Sequence, residues 1–151
     1  MIELDVKATD LESEAWFVIS EFGDEAYEDA KDLFDESIKL GNDGAYSGLA
    51  EVVEDLTREQ RYNYLSKAAR FGRLDAIANI VNMVSETDDN ENLYMWCYIL
   101  ENNSQSTFNM QATTKNLDEV LSSDQIAIAT KKAEAFAKKV IEDGHKFSEG
   151  Y

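Results

Sequence analysis

The chain has 151 residues, 44% of them hydrophobic, and its 31 acidic and 14 basic side chains give a formal net charge of −17. This length suits one domain with its own core, and the charge argues against binding to nucleic acid or an anionic membrane, because phosphates would be repelled. No apolar run approaches the roughly 18 residues of a membrane span, and the single Cys97 excludes an intrachain disulfide or a thiolate metal cluster.

The N-terminal segment MIELDVKATD carries charges at Glu3, Asp5 and Lys7 and lacks the apolar run of a secretory signal, so we expect a cytoplasmic protein. The stretch IELDV alternates between apolar and polar residues, as a strand does. No partner strand is evident in the rest of the sequence. Residues 1–9 are therefore predicted to form an extended arm packed on the first helices.

Proline is absent and glycine occurs seven times, which favours an almost entirely helical chain whose helices end at glycine. The first helix is predicted over residues 11–22, with Thr9 and Glu12 as a capping box and Gly23 at its end. Further helices are predicted as pairs at about 25–40 with 43–55 and 58–71 with 73–86, and singly at 91–102.

The C-terminal part contains a polar stretch followed by a long helix. Residues 104–116 are rich in Ser, Thr, Asn and Gln and predict a loop or a frayed helix. The final helix begins near Ser122 or Ser123 and is the one basic element, with lysines late in the helix that complement its dipole. Its apolar stripe consists of Ile126, Ala129, Ala133, Phe136 and Val140. The whole chain, 1–151, is predicted to be a single domain, with a repeat array over 10–143 and a tail over 144–151.

The helix breaks recur with a period of 31 residues. Gly41 aligns with Gly72 and then with Asn103, and both residue types favour the left-handed conformation that ends a helix. Residues on both sides of the break also align: Leu33 with Tyr64 and Met95, Phe34 with Leu65 and Trp96, Ser37 with Ala68 and Ile99, Ile38 with Ala69 and Leu100, Ala45 with Ala76, Leu49 with Ile80, and Val53 with Val84. Such a period is typical of stacked helix-turn-helix units.

Alanines crowd around the break at Gly72, where small side chains would let the two helices of a hairpin approach closely. We therefore predict an all-α protein, a short α-solenoid of antiparallel helix hairpins closed by the long C-terminal capping helix. The residues expected to be largely buried are Leu33, Phe34, Leu65, Ala69, Ala76, Ile80, Trp96 and Leu100.

Three stretches resemble the Sel-one-like repeat family, a branch of the tetratricopeptide-like helical repeats. YLSKAARFGRLDAIANI is similar to the family's two alanines, glycine and following alanine, and NLYMWCYILENN to the aromatic-rich opening of a last repeat. LSSDQIAIATKKAEAF is similar to the helix that caps such arrays. The resemblance covers about residues 26–140 and departs from the family in its shorter repeats and in Ser37-Ile38, where two alanines are usual. It implies the fold and a protein-binding surface.

Residues that could carry catalysis are scarce. His145 lies in the tail without a second histidine or a usable thiolate for zinc. Cys97 lies between two aromatic residues of an apolar helix, as a small hydrophobic residue would. The segment DDNENL has calcium-loop spacing but places Leu93 where that loop needs glycine. We predict a protein that is not an enzyme and that uses no metal or cofactor.

The acidic charge is concentrated near the N-terminus. Residues 1–36 hold thirteen acidic residues and two lysines, a balance of −11 that leaves −6 for the remaining 115 residues. Glu25, Asp29 and Asp32 are expected to share one helix face. The predicted partner-binding surface comprises Asp24, Glu25, Tyr27, Glu28, Asp29, Asp32, Asp35, Glu36 and Tyr46, with both tyrosines exposed. The alternative is a charged face that only keeps the protein soluble.

Two functions fit these features. The first is an acidic cytoplasmic immunity protein, monomeric when free, that binds and neutralises a basic bacterial toxin, such as a nuclease of a contact-dependent or secreted competition system. Its carboxylates would occupy the toxin surface that phosphates use, and electrostatic steering would speed association. The resemblance permits this, since Sel-one-like proteins occur as immunity partners. The alternative is an adaptor or scaffold in a regulatory complex, and a third option is an accessory subunit of an enzyme.

Overall fold

The computed structural model describes residues 6–103, 106 and 108–149, and the regular secondary structure in these residues is helical. This part of the chain holds eight α-helices, numbered in chain order: α1 Val6–Phe22, α2 Tyr27–Lys39, α3 Tyr46–Val52, α4 Arg58–Arg70, α5 Leu74–Val84, α6 Asn90–Glu101, α7 Gln111–Val120 and α8 Ser123–Glu142. Two 3-10 turns, Gly23–Ala26 and Asp43–Ala45, precede α2 and α3. The prediction of an all-α protein is confirmed.

Helix α1 includes residues 6–9, so the prediction of an extended arm is wrong for these four residues. Thr9 and Glu12 consequently lie inside α1 and form no capping box, and Glu12 is fully buried. The rest of the predicted arm, residues 1–5, lies outside the described residues. Gly23 follows the last residue of α1 with a φ of 63°, so the predicted end of the helix is confirmed.

Capping boxes do begin α4 and α8. The Thr57 hydroxyl accepts a hydrogen bond from the Gln60 amide at 3.1 Å, and the Gln60 side chain accepts one from the Thr57 amide at 2.9 Å. Ser122 and Gln125 form the same pair of bonds at 3.1 and 2.9 Å. Each pair satisfies two amides at a helix start. The predicted start of the final helix near Ser122 or Ser123 is therefore confirmed.

Residues 111–120 form helix α7, whose first six residues belong to the stretch predicted to be a loop or a frayed helix. Only Thr114 and Leu117 of this helix are buried, so its apolar stripe is too sparse to stand out in the sequence. Residues 104, 105 and 107 of the same stretch lie outside the described part.

Gly41 and Gly72 end α2 and α4 with the same turn. Their φ angles are 100° and 101°, in a region that glycine adopts far more readily than other residues. In both turns the amide after the glycine donates to the carbonyl five residues earlier at 3.1 Å, as in a Schellman motif. The expectation that Asn103 is left-handed is wrong, because positive φ occurs among the described residues only at glycines.

Two groups of buried side chains form the core. The N-terminal core lies between α1, α2 and α3, and the central core extends from α4 through α6 to α8. Tyr46 and Tyr64 pack against both cores, with their ring centroids 5.4 Å apart. Of the predicted core residues, Leu33 is only half-buried, and the others are buried: Phe34, Leu65, Ala69, Ala76, Ile80, Trp96 and Leu100.

Each helix packs against the next one along the chain from α1 to α7, while α8 packs mainly against α6 and also contacts α4. Some of the aligned columns have uniform burial and others do not, since Ile38 is half-buried whereas Ala69 and Leu100 are buried. Phe34, Leu65 and Trp96 are all buried, whereas the three residues that precede them are all half-buried. At Gly48 an added Cβ would collide with the Phe34 ring, so α2 and α3 approach each other closely there.

The C-terminal segment packs on the turn at Gly72. The Ser148 amide donates to the Gly72 carbonyl at 2.9 Å, and the Leu74 amide donates to the Ser148 carbonyl at 2.8 Å. The ring of His145 lies 4.5 Å from that of Phe71. His145 is therefore half-buried against an aromatic ring.

Candidate protein-binding surface

The predicted partner-binding residues lie on three elements. Asp24 and Glu25 belong to the 3-10 turn before α2, Tyr46 begins α3, and the others lie on α2: Tyr27, Glu28, Asp29, Asp32, Asp35 and Glu36. All the acidic members are exposed except Asp35, which is half-buried. Of the three residues expected to share one helix face, Asp29 and Asp32 lie on α2 and Glu25 lies on the 3-10 turn directly before it.

Helices α1 and α2 form a shallow groove of about 480 Å³. Three half-buried aliphatic residues line it: Leu11, Val18 and Leu33. Four exposed carboxylates surround them: Glu14, Asp29, Asp32 and Glu36. We call this feature the acidic groove. It combines apolar surface with negative charge on both sides, which is the chemistry of a protein-binding site with a polar rim.

Helical spacing explains why these residues meet. Leu11, Glu14 and Val18 recur at intervals of three and four residues, which places them on one face of α1. Asp29, Asp32 and Glu36 recur in the same way on α2. Glu14 was not among the predicted residues. Its spacing from two apolar neighbours was the available signal, but the packing of α1 on α2 could not be inferred from that spacing alone.

The opposite side of α2 is partly neutralised. Lys31 forms an ion pair with Asp35 at 3.1 Å, one helical turn away. The hydrogen bond and charge of Asp35, and more weakly the charges of Asp32 and Glu28, raise the pKa of Lys31. Since both partners are more than a third exposed, the pair adds little to stability. Asp35 is thus engaged within the chain, outside the acidic groove.

The two predicted tyrosines are half-buried rather than exposed. Burial, and then the charges of Asp24, Glu51 and Glu54, raise the pKa of Tyr27, so its hydroxyl stays protonated beside carboxylates of α3 and the following loop. Tyr46 packs on Tyr64, and the Lys67 ammonium lies 4.7 Å from its ring centroid. Tyr46 therefore belongs to the packing between the two cores and does not line the acidic groove.

A buried polar cluster, not foreseen from the sequence, lies on the other side of α1. The Arg73 guanidinium donates two hydrogen bonds to the Glu12 carboxylate, at 2.9 and 2.8 Å. The side-chain amide of Asn42 donates to the Glu12 carboxylate at 2.8 Å and to the Ser37 hydroxyl at 3.0 Å. Ser37 in turn donates to the Ala8 carbonyl at 2.6 Å. This polar cluster joins α1 to the turns that follow α2 and α4.

The sequence contained a signal for the polar cluster. Asn42 and Arg73 each follow the glycine of a helix break and are aligned by the 31-residue period. An added Cβ at Gly44 would lie 2.6 Å from the Arg73 guanidinium, so Gly44 leaves room for that side chain. Burial raises the pKa of the neighbouring Asp75 carboxyl, an effect that the positive charge of Arg73 opposes.

A second cavity, of about 530 Å³, lies between the start of α4, the end of α5 and the start of α6. Its lining is mainly apolar and includes Tyr62, whose hydroxyl accepts a hydrogen bond from the Trp96 indole at 3.2 Å. Arg58, at its edge, forms an ion pair with Glu86 at 3.0 Å. This cavity also has carboxylates on two elements, Glu59 of α4 and Asp89 at the start of α6, but it differs from the acidic groove in the positive charge of Arg58.

Cys97, the one cysteine of the chain, is buried in α6. Burial raises the pKa of the Cys97 thiol to about 12, so it stays protonated and poorly nucleophilic at neutral pH. No group of three or more His, Cys, Asp or Glu side chains in the described part of the chain is arranged to hold a metal ion.

Comparison of the chain with protein-family models, curated proteins and solved structures finds no match. None of the described helices combines the length and the apolar character needed to cross a bilayer. The acidic groove and the sequence are therefore the basis of the functional proposal.

Proposed function

We propose that this protein is a protein-binding module that captures a basic partner in its acidic groove, and that it acts as a cytoplasmic immunity protein against a basic bacterial toxin. The observation that carries the proposal is the groove itself, in which four exposed carboxylates surround three aliphatic side chains. No catalytic role is proposed.

A basic toxin domain that acts on nucleic acid is the partner class that this chemistry fits best. Such a domain presents Lys and Arg side chains to phosphates, and carboxylates held at the right places would bind the same cations. The net charge of −17 would also steer a basic partner toward the protein. Neutralisation would then result from occupying the surface that the toxin uses for its substrate.

For the architecture, we propose a short α-solenoid of Sel-one-like antiparallel helix hairpins with α8 as the cap. Three observations support it. The turns at Gly41 and Gly72 have the same backbone conformation 31 residues apart, Ala45 and Ala76 are both fully buried, and each of the first seven helices packs on its neighbour in sequence. In such arrays each unit contacts mainly its neighbours.

The test is co-purification and co-expression with the product of the adjacent gene. The proposal predicts a stable complex, and it predicts that expression of this protein restores growth to cells that are poisoned by the adjacent gene product. A neighbouring product that binds this protein but is not toxic would contradict the immunity role and favour the adaptor, for which the cavity between α4, α5 and α6 is a second contact surface. Absence of any complex would contradict both functions for that neighbour.

A further inference from the structure

We propose that the acidic groove accepts one amphipathic α-helix of the partner, with apolar residues along one face and Lys or Arg on both sides of them. This inference rests on the proposed function, and it specifies which structural element of the partner binds in the groove.

The walls of the groove favour a helix over an extended peptide. Both walls are α-helices, whose backbone amides and carbonyls are hydrogen-bonded within each helix. An extended peptide binds by pairing its backbone with a free strand edge, and neither wall offers one. A helix brings its own backbone hydrogen bonds and needs only side-chain contacts, which the groove between two packed helices supplies.

The spacing of the lining residues sets the length of the contact. Leu11 and Val18 on α1 are seven positions apart, as are Asp29 and Glu36 on α2. At 1.5 Å per residue this is about 10 Å, or two helical turns. The bound helix would therefore place about two turns of apolar side chains on Leu11, Val18 and Leu33.

The carboxylates of the groove walls and one exposed aromatic residue indicate which side chains the bound helix carries beside its apolar stripe. Glu14 lies on one wall and Asp29, Asp32 and Glu36 on the other, so cations are required on both sides of the apolar stripe. Phe17 lies one turn after Glu14 on α1 and is 61% exposed. It can extend the apolar contact beyond the groove, as aromatic residues commonly do at protein interfaces.

The test uses a synthetic peptide of roughly five helical turns, built from Leu, Ala and Lys, with leucines on one face and lysines beside them. The control peptide has the same composition with the leucines distributed around the helix. Binding to the full chain is measured by fluorescence anisotropy and by NMR shifts. Two variants with the same charge change are compared: Glu14→Lys in the groove, and Glu28→Lys on α2 outside it.

The expected result is that the amphipathic peptide binds more tightly than its control and shifts the resonances of Leu11, Val18 and Leu33. Its affinity should fall about tenfold for the Glu14→Lys variant and much less for the Glu28→Lys variant.

Equal binding of the two peptides, or equal losses in the two variants, would overturn the groove inference. If the protein alone forms a dimer that Glu14→Lys disrupts, the occupant is a second copy and the inference is also overturned. Selective peptide binding together with failure to neutralise a toxin would contradict the proposed function alone.

Discussion

The Glu12 carboxylate is fully removed from water, and its partners make this possible. Arg73 donates two hydrogen bonds to it and Asn42 donates a third. Arg73 is 61 residues away in sequence, so the pair fixes α1 against a distant turn. A buried ion pair adds little net stability over apolar packing, but removal of one partner leaves the other charge buried and unpaired.

We therefore expect Glu12→Gln to lower the free energy of unfolding by about 3–5 kcal/mol. Glu86→Gln is the control, because its pair with Arg58 is exposed and such pairs contribute at most about 1 kcal/mol. Urea denaturation measures both variants. In addition, Glu12→Gln with Arg73→Met should lose less than the sum of the single changes, and additive losses would contradict the coupling of the two residues.

Ala76 is fully buried at the start of α5, in the central core that α5 shares with α4 and α6. Ala76→Leu should lower the free energy of unfolding by about 1–3 kcal/mol, because the core has no space for three more carbons without strain. Ala135→Leu, on the exposed side of α8, should be close to neutral. An unchanged melting temperature in the Ala76→Leu variant would show that the helices are not closely packed at this point.

Among the elements of the fold, the glycine turns organise the helix ends. Gly41 and Gly72 have nearly the same φ, but their surroundings differ. Nothing lies near an added Cβ at Gly41, whereas at Gly72 it would collide with the Lys146 carbonyl of the C-terminal segment. Gly72 is thus required by both the turn and the docking of that segment.

Gly41→Ala is expected to lower the free energy of unfolding by about 1–3 kcal/mol through backbone strain alone. Gly72→Ala should lower it further, because the C-terminal segment can no longer pack on the turn. In a chain shortened to end at Gly144, the two substitutions should have equal effects. Thermal and urea unfolding measure these four variants and their two parent chains, and equal losses in the full chain would show that the contact with Lys146 is unimportant.

The sequence predicted most elements well where they have strong periodicity and strong end signals, as at Gly23, Gly72 and Ser122. It failed at α1, because Thr9 and Glu12 have the spacing of a capping box while Glu12 is in fact held by Arg73. At α7 it left a loop and a frayed helix as alternatives, because two buried residues give too weak a stripe. The error at α1 comes from a tertiary contact, which local patterns do not encode.

At the scale of the whole molecule, charge and packing together define the candidate surface. The acidic cluster near the N-terminus was visible in the sequence, and Asp29, Asp32 and Glu36 of that cluster line the acidic groove. Glu14 and the aliphatic lining were not predicted, because they depend on how α1 lies against α2. Tyr46 was predicted to be an exposed aromatic residue of the partner-binding surface, but it packs between the two cores instead.

The most direct test of the account is the salt dependence of the association rate between this protein and its purified partner. We expect Asp29→Lys with Asp32→Lys to slow association about tenfold or more at low salt, with a smaller difference at high salt where the charges are screened. The control, Asp88→Lys with Glu119→Lys, makes the same charge change at exposed residues outside the groove and should have a much weaker effect. Wild-type rates for the groove variant at both salt concentrations would contradict the claim that the acidic groove captures a basic partner.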